Sequence, residues 1–332
     1  MGDAQVVTGR SATGLAELVL TNDRLRVVVL PELGGRVWEV RHLASGRQLL
    51  WHHPGLAPAP VAFGAEYDDN FIGGWDELFP NDVPEELGGI AFPDHGEAWA
   101  VPWAWRVLDG PDATVRLELA APLSGSTLVR TIRLAPGAEA LELDVEVTNG
   151  TIHNLPMLHK QHLAADLLPG TRIDLPPSQV EIGAFGTPRA GRYGDRFDWP
   201  LLATPDGMAD FAAAPADGAS ELLFATGLAA GWAACTGPDG VGIGLVFDPE
   251  VYPACWTFAS HEGWQGLRVA VLEPCTGVGL SVAAGLVAGT HRSLSAGETL
   301  RTRLSAVAYA GIAQVTGISG HGIDCRVEGV AR

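Results

Sequence analysis

Residues 140–150, ALELDVEVTNG, decide the fold class. Leu141, Leu143, Val145 and Val147 alternate with Glu142, Asp144 and Glu146. In an extended chain that spacing puts four aliphatic side chains on one face and three carboxylates on the other, whereas a helix would scatter them around its surface. Asn149-Gly150 then supplies a turn signal. The two preceding runs keep the same period. TVRLELA (114–120) separates Val115, Leu117 and Leu119 from Arg116 and Glu118, and STLVRTIRLA (126–135) sets Leu128, Ile132 and Leu134 on one side. Three such runs in succession, with turns between them, predict an antiparallel meander.

Working outward, LRVVVLPELGG (25–35) and RVWEVRHLASGRQLLWHH (36–53) read as strands punctuated by turns. GVGIGLVFDP (240–249), LRVAVLEP (267–274) and TLRTRLSAVAYAG (299–311) read the same way. Helical periodicity is scarce. The best candidate is 208–232, which Pro215 and Gly218 interrupt. The 42 glycines and 23 prolines provide the turns an all-β sandwich needs. Continuous patterning predicts one domain over 1–332. The Pro/Gly/Ala-rich stretch 176–230 is expected to form long loop excursions that wall a cleft.

Composition narrows the partners. The chain is 47% hydrophobic and 18% charged, as a globular protein is, with a net charge of −18. An acidic surface argues against nucleic acid and against an anionic membrane. No apolar stretch approaches the length that spans a bilayer, and the first residues contain no apolar leader segment. Cys235, Cys255, Cys275 and Cys325 are dispersed and read as reduced thiols, so a cytoplasmic location is expected.

FPDHGEAWAVPWAW (92–105) gathers His95, Asp94, Glu97, Trp99, Trp103 and Trp105 into fourteen positions. That mixture suits a pocket gripping a ligand with polar edges and a flat apolar face. Trp103 and Trp105 are expected to alternate into the core, which leaves Trp99 as the stacking platform. Glu273 ends an apolar run, where a carboxylate is costly unless paired or functional, and burial would raise its pKa toward that of a useful base. Capping of backbone amides at Thr276 and Gly277 is the bland alternative. His159, His162, His95 and Glu97 are candidate metal ligands, but no H-x-H or H-E-x-x-H spacing supports a metal site. His261 and Glu262, beside Trp256 and Trp264, are expected in a solvated turn near the same cleft. No nucleophile motif is present.

The order of several motifs resembles the galactose mutarotase-like proteins, the aldose 1-epimerase superfamily. They are LRVVVLPELGGRVWEVRHLASGRQLLWHHP (25–54), GGWDELFPND (73–82), PDHGEAW (93–99), a histidine ahead of LPGTRIDLP (168–176), and LEPCTG (272–277). The resemblance spans roughly 15–310 and implies a large antiparallel β-supersandwich. It also implies a cofactor-free enzyme that interconverts the α and β anomers of a free sugar. In that chemistry a base takes the C1 hydroxyl proton while an acid protonates the ring oxygen, and the opened chain turns and recloses. The resemblance casts Glu273 as the base, His162 as the acid with His159 in reserve, and His95 as binder and polariser. Trp75, Asp76, Glu77 and Asn81 stand where many members carry a sugar-binding arginine, and no Arg occurs between Arg47 and Arg106. Asp248 is placed in the pocket by order alone. The rivals are a non-catalytic sugar-binding protein and another carbohydrate enzyme, a lyase, keto-sugar isomerase or glycosidase. A glycosidase would set Glu77 or Glu97 opposite Glu273.

Overall fold

The computed structural model describes residues 3–214 and 218–332. Ala140–Thr148 is a strand whose aliphatic side chains are buried and whose acidic ones are half-buried, as the alternation requires. It lies between Thr127–Leu134 and Thr299–Tyr309, antiparallel to both. On its outer face Asp144 accepts from Arg303 Nε at 2.6 Å and Glu142 pairs with Arg133.

These strands sit in an eight-stranded sheet that runs from Arg172–Asp174 at one edge to Ala104–Leu108 at the other. A twelve-stranded sheet faces it. The consecutive strands of that sheet that matter most are Trp75–Leu78, Lys160–Asp166, Arg268–Cys275, Ala254–His261 and Ser220–Thr226, every neighbouring pair antiparallel. The inner faces pack into one apolar cluster, in which Leu18, Val27 and Trp75 of one sheet share the core with Leu117, Ile132 and Leu143 of the other. This is an all-β antiparallel sandwich.

Three expectations fail here. The stretch 176–230 is not a set of loop excursions. It contributes Gln179–Thr187, Arg196–Asp198 and Ser220–Thr226 to one end of the larger sheet, and Leu201–Thr204 pairs with Gly207–Asp210 as a hairpin. Its weak patterning has a physical cause. Ser220–Thr226 is buried on both faces and therefore reads as a continuous run rather than an alternating one. The same strand displaces the helix candidate at 208–232, of which 215–217 lie outside the described residues. The α-helix present is Val282–Ala288, with Ser281 accepting from Ala284 N at its start and left-handed Gly289 at its end. Trp103 is buried as expected, but Trp105 is 41% exposed, because its strand is the sheet edge. No helix among the described residues is long and apolar enough to cross a membrane. All four cysteines are free.

The two faces of Ala140–Thr148 should differ sharply under substitution. Leu143→Ala is expected to cost about 2–5 kcal/mol by opening a cavity, and Asp144→Ala about 1 kcal/mol or less. Urea denaturation of the two variants checks this, and equal losses would contradict the assigned register.

Candidate functional site

The outer face of the larger sheet carries a cleft of about 230 Å³. Strand alternation populates it. On Lys160–Asp166, Lys160 and His162 face the cleft. The paired strand presents Glu273 and Val271, and the next presents Trp256 and Phe258. Lys160 lies opposite Cys275 and Leu163 opposite Leu272, a register that sets His162 across from Glu273. Side chains directly opposed on neighbouring strands have Cβ atoms about 4.5–5.5 Å apart. Two loops complete the polar end with Asp82 and with Asp94 and His95.

Those loops are fastened to each other by the Asn81 side chain and by backbone amides. Asn81 Nδ2 donates to the carbonyls of Val83 and Pro93, both at 2.8 Å. Glu97 N donates to Phe79 O and His95 N to Asp82 O, both at 2.7 Å. Gly96 permits this closeness, since a Cβ there would sit 2.0 Å from the Phe79 oxygen. His95 adopts a left-handed φ of 56°, uncommon for a residue with a side chain. Its ring lies flat on Tyr67, with centroids 4.1 Å apart and planes inclined by 12°.

Lys160 organises the charges. Its Nζ donates to Asp82 Oδ2 at 2.5 Å and lies 2.7 Å from Glu273 Oε2, 4.4 Å above the Trp256 ring. The three N–H donors of the ammonium let it serve both carboxylates, so buried Glu273 has Lys160 as its charge partner. Burial raises the Glu273 pKa, and the Lys160 charge holds back part of that rise. Burial acts the same way on Asp82, but Lys160 outweighs it and the net shift is downward. For Lys160, the two carboxylates overcome the cost of burial and raise its pKa. The histidines diverge. Burial and the positive groups Lys160, His95 and Arg36 push His162 well below its ordinary value. Burial would also lower His95, but Asp82 and Asp94 outweigh it and raise the pKa.

Opposite the polar end stands an aromatic wall. Phe258 meets Trp264 edge-on at 5.4 Å and Phe185 at 5.6 Å, and Phe71 lies 6.2 Å from Trp264. Leu222 and Phe185, both from the stretch expected to be loop, line the cleft as strand residues.

Of the residues singled out in the sequence, the cleft unites Glu273, His162, His95 and Asp94, with Trp256 and Trp264. The others lie elsewhere. Glu97 is tied to the 123–124 turn, accepting from Leu123 N at 2.6 Å and from Ser124 Oγ at 2.5 Å. Trp99 packs edge-on behind Tyr67 and donates to Asp94 O, so Trp256 and Trp264 form the aromatic surface instead. Trp75 points into the sandwich and donates to Gln161 Oε1. Glu77 accepts from His159 Nε2 at 2.8 Å, and Arg130 Nε stands 3.3 Å away, all three fully buried. His159 is one residue out of phase with Lys160 and so points to the interior, its Nδ1 3.0 Å from Tyr252 Oη. Asp248 is exposed and closes a turn through Glu250 N. Neither Glu77 nor Glu97 therefore stands across the cleft from Glu273, and the four residues weighed as metal ligands do not converge. His261, expected in solvent, is buried beside Arg189 and Glu221, and burial with the Arg189 charge lowers its pKa to about 3.

The residues missed were Lys160, Asp82 and Tyr67. Lys160 had a legible signal, since it shares the period-2 face of His162. Tyr67 lies in a stretch with no regular pattern.

No protein-family model matches this chain and no curated protein sequence matches it. Solved structures do. A galactose mutarotase-like protein from Clostridium acetobutylicum superposes with a TM-score of 0.67 at 13% identity, covering 93% of this chain and 99% of that one. The Slr1438 protein of Synechocystis sp. PCC 6803 gives 0.66 at 17% over 91% and 99%. A protein provisionally named an aldose 1-epimerase, from Escherichia coli K12, gives 0.65 at 18% over 90% and 100%. At these identities the likeness establishes the fold: this chain has the galactose mutarotase-like architecture.

Removing the Lys160 charge should leave two facing buried carboxylates. Lys160→Met is expected to cost about 3–5 kcal/mol near neutral pH. Asp82 and Glu273 would then both titrate above their unfolded values, so stability is lost as pH rises through those raised values and regained as pH falls below them. Urea melts at pH 5 and 7.5 measure this, and a deficit that grows toward acid would contradict the pairing.

Proposed function

We propose that the protein is a mutarotase-like isomerase acting on a neutral free sugar, with Glu273 as general base. The carrying observation is the register that sets Glu273 across from His162 in one cleft, with His95 beside them. A sugar ring held between these groups loses its C1 hydroxyl proton to the Glu273 carboxylate. The C1–O5 bond breaks as C1 becomes an aldehyde, and an imidazole protonates O5. Rotation about the C1–C2 bond and the reverse transfers deliver the other anomer, and both catalytic groups return to their starting states. General acid–base help of this kind contributes about 10²–10⁴-fold per group. Lys160 supports the base by favouring the ionised carboxylate.

The substrate class follows from charge and size. Glu66, Asp68, Asp82, Asp94 and Glu273 line the cleft, and Lys160 is the one lysine or arginine among its described lining residues. Lys160 is already committed to Asp82 and Glu273, so a phosphate or carboxylate on the sugar would meet repulsion. Arg189 and Arg196 are paired with Glu221 and Glu181. Ligand sites for drug-sized molecules span about 300–1,000 Å³, so this cleft suits a single ring. Trp256, Trp264, Phe258 and Phe71 offer aromatic faces for its C–H side.

Glu273→Gln keeps the shape and removes the base. Saturation-transfer NMR on a panel of neutral aldoses should show exchange in the parent protein and a loss of about 10²–10⁴-fold in the variant, with sugar binding retained. Unchanged exchange in the variant ends the assignment of Glu273. Binding without exchange in the parent would favour the sugar-binding reading on the same fold.

A further inference from the structure

The two imidazoles of the cleft are wired differently, and Tyr67 touches both. Its ring supports His95 from below. Its hydroxyl donates to Asp76 Oδ2 at 2.8 Å and lies 3.1 Å from His162 Nδ1. Arg36 Nη2 is 2.6 Å from the same Asp76 oxygen, and Arg36 also donates to the Gly73 carbonyl. Tyr67, Asp76, Arg36 and His162 are all buried. A phenol has one proton to give. With that proton committed to Asp76, the phenolic oxygen is left as an acceptor, and His162 Nδ1 must be the donor to it. A neutral imidazole with its proton on Nδ1 carries a lone pair on Nε2.

His95 is held by the opposite logic. Its Nδ1 donates to the Asp94 carboxylate at 2.8 Å, and Asp82 adds a second negative charge nearby. A carboxylate facing one nitrogen favours the doubly protonated ring, which leaves an N–H on Nε2. The charged and titratable surroundings support the division. His162 meets Lys160 on its own strand, Glu273 on the next strand, the Tyr67–Asp76–Arg36 chain on the other side, and His95 across the cleft. His95 meets Asp94 on its own loop, Asp82 on the adjoining loop, and Lys160.

Resting on the isomerase reading above, we propose that Tyr67 is the positioning residue of the site. Its Asp76-anchored hydroxyl fixes His162 as a neutral hydrogen-bond acceptor toward the sugar, leaving His95 as the group that delivers the proton to the ring oxygen. The balance is simple. Glu273 gains the C1 hydroxyl proton, His95 loses its Nε2 proton to O5 as the C1–O5 bond breaks, and both are restored on closure. His162 accepts from a sugar hydroxyl throughout and changes no proton.

Side-chain ¹⁵N NMR reads protonation directly and does not depend on turnover. At pH 7 the intact protein should show His162 neutral with its proton on Nδ1, and His95 protonated on both nitrogens. Tyr67→Phe keeps the ring under His95 and removes the oxygen, so His162 should shift toward the Nε2–H tautomer. The same variant should raise KM about 10-fold with kcat nearly unchanged, because the hydrogen bond it loses is made to substrate and transition state alike. His95→Gln should lose about 10²–10⁴-fold and, with it, the fall in activity at high pH that reports a protonated donor. A doubly protonated His162 at pH 7, or a His162 tautomer that Tyr67→Phe leaves unaltered, overturns the proposal. These tautomers in a parent protein with no anomer exchange would overturn the isomerase reading, and exchange without these tautomers would overturn the Tyr67 relay alone.

Discussion

The ammonium of Lys160, held between Asp82 and Glu273 above the Trp256 ring, is the interaction on which the cleft depends. Two carboxylates this deeply buried and this close could not both remain ionised without a shared counter-charge. Lys160 supplies it from the central strand of the larger sheet and ties that strand to its neighbour and to the loop carrying Asp82. The loop carrying His95 is fastened in turn to the Asp82 loop by Asn81 and by the His95 and Glu97 backbone amides. Displacing one of these contacts therefore moves several groups of the polar end together.

A second buried polar chain runs on the other side of the same strand. Arg130 projects from the smaller sheet to Glu77 on the larger, Glu77 meets His159, and His159 meets Tyr252. Burial alone would raise the Glu77 pKa, but His159 and Arg130 outweigh it and the net shift is downward. This chain crosses the sandwich interior, where charged groups persist only with partners. Glu77, His159 and Trp75 have the polar or aromatic character of site residues because they lie one position away from site residues. They belong to the joint between the sheets. The cleft and the joint thus share a strand, with Lys160 and His162 on one face and His159 and Gln161 on the other.

The cleft divides by charge as well as by polarity. Asp82 and Asp94 raise the His95 pKa while burial and nearby positive groups lower that of His162, so the two imidazoles of one site are pushed in opposite directions. Acid and base roles separate wherever neighbouring titratable groups are pushed in opposite directions. The aromatic half contributes shape rather than charge. Its rings come from three segments far apart in sequence, Phe71 from one, Phe185 from another, and Phe258 with Trp264 from the third.

Alternation in ALELDVEVTNG and its neighbours was enough to determine an all-β sandwich, because a side-chain period of two has few other structural readings. It missed the end of the larger sheet, where strands buried on both faces lose the alternation that makes a strand visible. It also passed over Arg130, which stands on the apolar face of its strand and marks a buried partner. The order of motifs singled out Glu273, His162 and His95, which one cleft brings together. Composition could not separate His162 from His159, or Asp82 from Glu77, since each pair combines similar chemistry with close spacing. Only the tertiary structure decided those cases. Which face of a strand opens to a cleft depends on which sheet packs against the other face, and that partner lies elsewhere in the chain, beyond the reach of any local pattern.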